Sequence, residues 1–302
     1  MAGSDDGETL FDPAFLRKLR TFHLRLRRRR ALQRRGQQST PATGYTREFR
    51  DYRSYTAKDD YRAVDWTLYA RLGRLYIRLY EEVQELHVHV LVDRSGSMAR
   101  PYPEKRLAAL RLAAGLAYLG LAGRHRVSLY GLGDRVEGLT RPLEGLGSLR
   151  VVLDALSGLE FGGQTDLPGA FSRFRPPRAR YGIFFIISDC FGRDPAGADA
   201  ALGRASAWPG EKHVIQIHHA AEASPEAEGE LLLADVETGE RRRVWFTAAD
   251  RERYERRFDV FCQDWRRGCA MRQMEHLVWR VDEPFEGFFL RLLARGSTLV
   301  ER

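Results

Sequence analysis

HVHVLVDRSGSM, residues 87–98, joins an apolar run to a cluster of small polar residues. Its first six residues alternate and then become continuously apolar, as in a strand buried on both faces of a parallel sheet. At the end of that strand Asp93, Ser95 and Ser97 stand two residues apart. Two chemistries fit the spacing. Asp and Ser are common turn and helix-cap residues. They are also hard oxygen donors that can line a cation site.

Downstream the chain keeps alternating between strand and helix patterns. Residues 104–123 read as a helix, 126–132 as a strand, 135–142 as an edge strand and 146–159 as a helix. FGGQTDLPGAF (161–171) is a loop running into a helix, and YGIFFIISD (181–189) is a strongly apolar strand. A helix over 195–207 and a strand over 212–220 follow. Residues 230–246 form two short strands around the turn ETGE, a hairpin insertion near 230–247. A long helix from Ala248 to about Gln273, a strand at 276–282 and a helix from Pro284 to about Ala294 complete the pattern. The alternation predicts an α/β fold with a doubly wound, mostly parallel sheet of Rossmann type, whose ligands sit at the carboxyl ends of the strands.

Upstream the chemistry changes. Residues 17–35 hold ten basic residues and no acid: Arg17, Lys18, Arg20, Arg25, Arg27, Arg28, Arg29, Arg30, Arg34 and Arg35. This segment alone exceeds the net charge of +8. Phe15, Leu19, Phe22 and Leu26 recur at helical spacing behind Asp12 as N-cap and Pro13 at the first helical position. A basic amphipathic helix can touch anionic lipid, nucleic acid or an acidic partner. It can equally dock by its stripe and leave the arginines in water, which the lack of any nucleic-acid motif favours. GQQSTPATG, residues 36–44, reads as a connection, so the expected divisions are 1–44, 45–85 and 86–302.

With 43% hydrophobic and 30% charged residues the chain can bury a core. It has no apolar run of the roughly 18 residues a spanning helix needs. Three cysteines without a CxxC pair, and no signal-peptide pattern, lead to the expectation of a cytoplasmic protein with reduced thiols.

Thr165 in GGQTDL and Asp189 at the end of 181–189 stand at comparable loop positions. With Asp93, Ser95 and Ser97 they offer two carboxylates and three hydroxyls, a set suited to Mg²⁺, with Mn²⁺ or Ca²⁺ as alternatives. This D-x-S-x-S, Thr, Asp order resembles the metal-ion-dependent adhesion site of von Willebrand factor A-like domains. The resemblance implies that Ser95, Ser97 and Thr165 coordinate directly and that Asp93 and Asp189 act through waters. It also implies that a partner's Asp or Glu completes the shell.

Residues 47–86 resemble the signature of the domain of unknown function 58 family, bacterial von Willebrand A-like proteins associated with MoxR-type AAA+ ATPases. The pattern runs through Glu48, Tyr55, Asp59, Asp60, Arg62, Asp65, Trp66, Ala70, Arg71, Tyr80 and Glu81. Thr56, Ala57 and Lys58 stand where a Pro-Gly pair is usual. Many members carry two N-terminal membrane helices; the resemblance makes this chain a soluble short form with a MoxR-type ATPase as partner. Read from the residues, Asp59, Asp60 and Asp65 among Arg62, Arg71, Arg74 and Arg78 form a charged, hydrogen-bonded lid rather than a catalytic site.

Enzyme motifs are absent. There is no GxSxG elbow and no phosphate-binding loop GxxxxGK[ST], and His87 with His89 reads as packed imidazole. The expected function is a non-enzymatic, metal-dependent protein-binding module. Binding of nucleic acid or an anionic surface through the basic segment, and a Mg²⁺- or Mn²⁺-dependent phosphohydrolase, are the alternatives.

Overall fold

The apolar run at residues 86–93 is a central strand of a six-stranded sheet. A computed structural model of the protein describes residues 11–21, 24–26, 46–56, 59–83, 86–177, 181–192, 197–295 and 299–301. In chain order the elements begin with α1 (Pro13–Thr21), β1 (Leu24–Leu26), β2 (Thr46–Ser54), α2 (Trp66–Leu72), β3 (Tyr76–Val83) and β4 (Leu86–Asp93). Then come α3 (Pro103–Ala122), β5 (Arg126–Leu132), β6 (Val136–Gly138), α4 (Leu149–Ser157), α5 (Leu167–Arg173) and β7 (Tyr181–Ser188). The rest are α6 (Gly197–Ser206), β8 (Gly210–His218), α7 (Ala220–Ala223), β9 (Gly229–Ala234), β10 (Arg241–Phe246), α8 (Ala248–Met271), β11 (Glu275–Arg280), α9 (Phe285–Arg295) and β12 (Leu299–Glu301). They fall into two compact units, residues 1–26 with 86–302, and residues 27–85.

In the larger unit the strand order is β11-β8-β7-β4-β5-β6, parallel except for the antiparallel edge strand β6. Successive side chains point to opposite faces of a strand. Val88, Val90 and Val92 join Ile183, Phe185 and Ile187 in a core covered by α3 and α9. Leu91, Phe184 and Ile186 join Leu167, Phe171, Leu202 and Trp265 in the core on the other face. The chain leaves β4 toward β5 and later returns to β7 on the opposite side. This reversal opens a crevice at the carboxyl ends of β4 and β7.

The stripe on α1 is shorter than its spacing predicts. Asp12 caps the helix by accepting from the Phe15 amide at 2.6 Å, and Phe15 and Leu19 are buried. The helix ends at Thr21, however, and Leu26 lies in β1, paired antiparallel with β12. Leu-Arg-Leu fits period two as well as a helix turn, and the second strand supplies the ladder bonds. Phe22 and the basic residues Arg27 to Arg35 lie outside the described residues, as do the side chains of Lys18, Arg20 and Arg25; Arg17 is exposed.

In the smaller unit β2 pairs antiparallel with β3, with a register shift between Phe49 and Asp51. The signature acids mostly serve turns and caps here. Asp65 is buried, accepts from the Thr67 and Leu68 amides at the start of α2, and receives the Tyr52 hydroxyl at 3.1 Å. Asp60 accepts from the Arg62 amide. Asp59 pairs with Arg53 at 2.7 Å rather than with Arg62, Arg71 or Arg74, which holds its carboxyl below the usual range. Trp66 and Arg71 are exposed, and the side chains of Glu48, Arg78, Tyr80 and Glu81 lie outside the described residues.

Candidate metal centre

Asp93 and Ser188 end adjacent parallel strands, one step beyond the matched pair Val92 and Ile187. That register brings the Ser188 hydroxyl to Asp93 Oδ2 at 2.5 Å. Asp93 Oδ1 accepts from the Ser95 amide at 2.9 Å and from Thr165 Oγ1 at 2.8 Å. Ser95 Oγ and Ser97 Oγ lie 3.0 Å apart. Main-chain bonds tie the two loops together: the Gly96 amide donates to the Gly163 carbonyl at 3.0 Å, and the Gly162 amide to the Arg94 carbonyl at 2.7 Å. Asp166 then caps α5 through the Gly169 amide. All five residues expected at the site, Asp93, Ser95, Ser97, Thr165 and Asp189, are buried at the ends of β4 and β7 and in the loop before α5.

Asp189 brings partners that the sequence did not reveal. Its Oδ1 accepts from the Phe191 amide at 3.1 Å, and its Oδ2 receives Lys105 Nζ at 2.8 Å. Lys105 also reaches Glu222 Oε1 at 2.7 Å, and Glu222 in turn accepts from the His219 amide at the start of α7. Burial opposes the charge on Lys105, but the Asp189 and Glu222 carboxylates outweigh it and hold its pKa above the ordinary value. Burial and then the negative charge of Asp189 push Asp93 up to about 6, against the hydrogen bonds from Ser188, the Ser95 amide and Thr165. Glu237, in the turn between β9 and β10, is likewise raised to about 6, first by burial and then by Asp189.

Ser188 could have been found from strand alternation, because it shares a face with Phe184 and Ile186. Lys105 is one of four lysines in a chain with 49 basic residues, but nothing in its own spacing marks it. ETGE reads as a hairpin turn, with no signal that Glu237 faces a site.

The donor set fits a hard cation. Among the described residues no group of three or more His, Cys, Asp or Glu could hold a metal, so a cation here would need hydroxyl donors as well. The 3.0 Å between Ser95 Oγ and Ser97 Oγ matches neighbouring ligands of an octahedral Mg²⁺, about 3 Å apart for bonds of about 2.1 Å. Asp189 and Glu222 share the ammonium of Lys105, while Asp93 and Glu237 feel the negative charge of Asp189. A divalent cation would offset the surplus. The imidazoles of His87 and His89 lie elsewhere, stacked at 4.0 Å and bonded to Ser128 and Tyr130. The free thiols of Cys190, Cys262 and Cys269 are all raised by burial.

Comparison with known proteins places this geometry in context. Uncharacterized proteins of Mycobacterium tuberculosis and Mycobacterium bovis are 30% identical over 193 residues. The match covers 62% of this chain and 60% of the length of these curated relatives. Among solved structures, a von Willebrand factor type A protein from Catenulispora acidiphila is 18% identical, covers 46% of this chain and 34% of its own, and has a TM-score of 0.34. The conserved hypothetical protein BatB from Bacteroides thetaiotaomicron is 14% identical, covers 68% and 95%, and has a TM-score of 0.39. Manganese-loaded TRAP protein from Plasmodium vivax is 17% identical, covers 44% and 57%, and has a TM-score of 0.30. The profile of the family described as protein of unknown function DUF58 matches residues 51–261, and the chain belongs to that family.

Proposed function

We propose that this chain is a non-enzymatic protein-recognition module that works with a divalent cation, Mg²⁺ foremost, held by Ser95, Ser97 and Thr165 and oriented by Asp93 and Asp189. The observation that carries the reading is the convergence of three loops on one crevice, where hydroxyls and two fully buried carboxylates meet. Asp93 organises the rim, accepting from Ser95, Thr165 and Ser188. Lys105 neutralises one face of Asp189 and fixes its orientation. A bound cation supplies a directional contact for an incoming carboxylate. The serines act as donors rather than nucleophiles, since the imidazoles of His87 and His89 lie back toward the start of β4 and bond to Ser128 and Tyr130.

Its partner is a cytoplasmic MoxR-type AAA+ ATPase, and the chain serves it as adaptor or substrate-recognition subunit. That part rests on the family, and no helix among the described residues is long and apolar enough to cross a membrane. The test is a thermal shift with Mg²⁺, Mn²⁺ and Ca²⁺ on wild type and on Asp93→Ala with Ser95→Ala. Recovery of a co-expressed MoxR-type ATPase is then measured with and without EDTA. A cation-dependent shift and ATPase recovery that both disappear in the variant are expected. Equal recovery from both proteins, unaffected by EDTA, overturns the metal-dependent reading.

A further inference from the structure

Among the described residues the hairpin of β9 and β10 pairs only with itself, outside the main sheet, and much of its length is exposed. Its turn nevertheless sits on the crevice. A Cβ placed on Gly96 would stand 3.0 Å from the Val236 carbonyl oxygen, so backbone meets backbone there. Arg100 reaches the same carbonyl at 3.4 Å. The turn is preorganised: Asp235 Oδ1 accepts from the Glu237 and Thr238 amides at 2.8 and 2.7 Å, and Gly239 takes a φ of 75°. Asp235, Val236, Glu237 and Thr238 share a cleft of about 560 Å³ with Ser97, Gln164 and Phe191. Glu237 and Ser97 thus line one cleft, and the negative charges of Asp189 and Asp93 reach the Glu237 carboxyl.

A carboxylate in this place is hard to explain by packing alone. It lines the same cleft as Ser97, and two buried acids, Asp189 and Asp93, repel it. From this geometry we infer that Glu237 is the site's own acidic ligand, closing the cation shell from within the chain, so that a partner's carboxylate must displace the hairpin turn to bind. The inference rests on the metal-site reading above and adds a regulatory contact to it. The hairpin acts as a tethered competitor: it holds the site closed until a stronger acidic ligand takes its position.

The experiment uses the full chain, wild type and Glu237→Gln, with Mn²⁺ titrated by calorimetry. Amide hydrogen exchange across 235–239 is followed with and without Mn²⁺. Removing one charged ligand should weaken Mn²⁺ binding about tenfold. In wild type Mn²⁺ slows exchange across the turn; in Glu237→Gln the turn exchanges at its metal-free rate. Glu240→Gln, on the exposed end of the same turn, leaves binding and exchange unchanged. Equal Mn²⁺ affinity and equal protection in wild type and Glu237→Gln overturn the inference, as does an equal loss in Glu240→Gln. If that happens while Ser95→Ala with Ser97→Ala still abolishes Mn²⁺ binding, the metal site stands and only the hairpin role falls. A wild type that binds neither Mn²⁺, Mg²⁺ nor Ca²⁺ overturns both.

Discussion

Lys105 Nζ lies 2.8 Å from Asp189 Oδ2, and both side chains are fully removed from solvent. The same ammonium holds Glu222, so one cation joins the end of β7 to α7 beyond β8. Lys105→Met leaves two acids without their partner. We expect a loss of about 3–5 kcal/mol in urea unfolding, the usual effect of breaking a buried pair. Adding Glu222→Gln to Lys105→Met should restore part of it. A loss under about 1 kcal/mol would show that water replaces the lysine at no cost.

Ser188 makes a second prediction, since it donates to Asp93 Oδ2 and accepts from the Cys190 amide at 2.8 Å. Ser188→Ala strips a partner from each in a fully buried place. The expected cost is about 1–3 kcal/mol, read by denaturant titration. The same variant should alter the cation-induced thermal shift, because Asp93 is then free to turn.

His213 is buried against Phe185, at 4.9 Å between ring centres, and among the described residues neither ring nitrogen makes a hydrogen bond; Glu211 is 4.0 Å away. Burial lowers its pKa from the ordinary 6.5 to about 4. The unfolded chain therefore takes up a proton before the folded one does. Stability from this group is complete above pH 6.5 and is lost as the pH falls toward 4, on the order of 3 kcal/mol. Asp93, raised to about 6, acts with the opposite sign over the acid part of that window. The readout is therefore the difference between wild type and His213→Phe, which should keep the stacking and flatten the fall. Parallel curves from pH 7 to 4 would refute it.

Gly96 has room for nothing toward Val236, and its backbone is one that alanine can adopt. Gly96→Ala should push the hairpin turn away and leave the sheet intact. Limited proteolysis should then cut within 229–246 faster, while the midpoint of thermal unfolding moves little. Unchanged cleavage would mean that the turn moves aside without loosening.

Leu19 is fully buried, with its Cδ2 3.5 Å from the place of a Cβ on Gly115. Leu19→Ala should cost about 2–5 kcal/mol, as for other buried leucines. A surface-binding helix would lose binding instead and keep its stability.

The strands and long helices of the larger unit were legible because β7 is apolar almost throughout, β4 and β8 carry alternating apolar positions, and strand patterns alternate with helix patterns. The positions of the five candidate residues were legible for the same reason: each stands where a strand ends or a helix begins. Three features lay beyond reach. β2, with Arg47, Glu48, Arg50 and Asp51 among its residues, has no apolar period, and its register shift breaks what alternation it has. The end of α1 depends on pairing with β12, over 270 residues later in the chain. Lys105 and Glu237 come to the crevice from a helix and a hairpin whose own patterns are complete without them. Such contacts are set by tertiary placement, to which local periodicity is blind.

The two bonds joining the Asp93 loop to the Thr165 loop run between peptide groups, from Gly96 to Gly163 and from Gly162 to Arg94. Proline at Gly96 or Gly162 aside, no side-chain replacement removes them. The mould of the crevice is thus independent of the groups that line it. A descendant of this chain could shed its serines and its cation and still present the same hollow to a partner. Shape and metal chemistry can be inherited separately here, and altered one without the other.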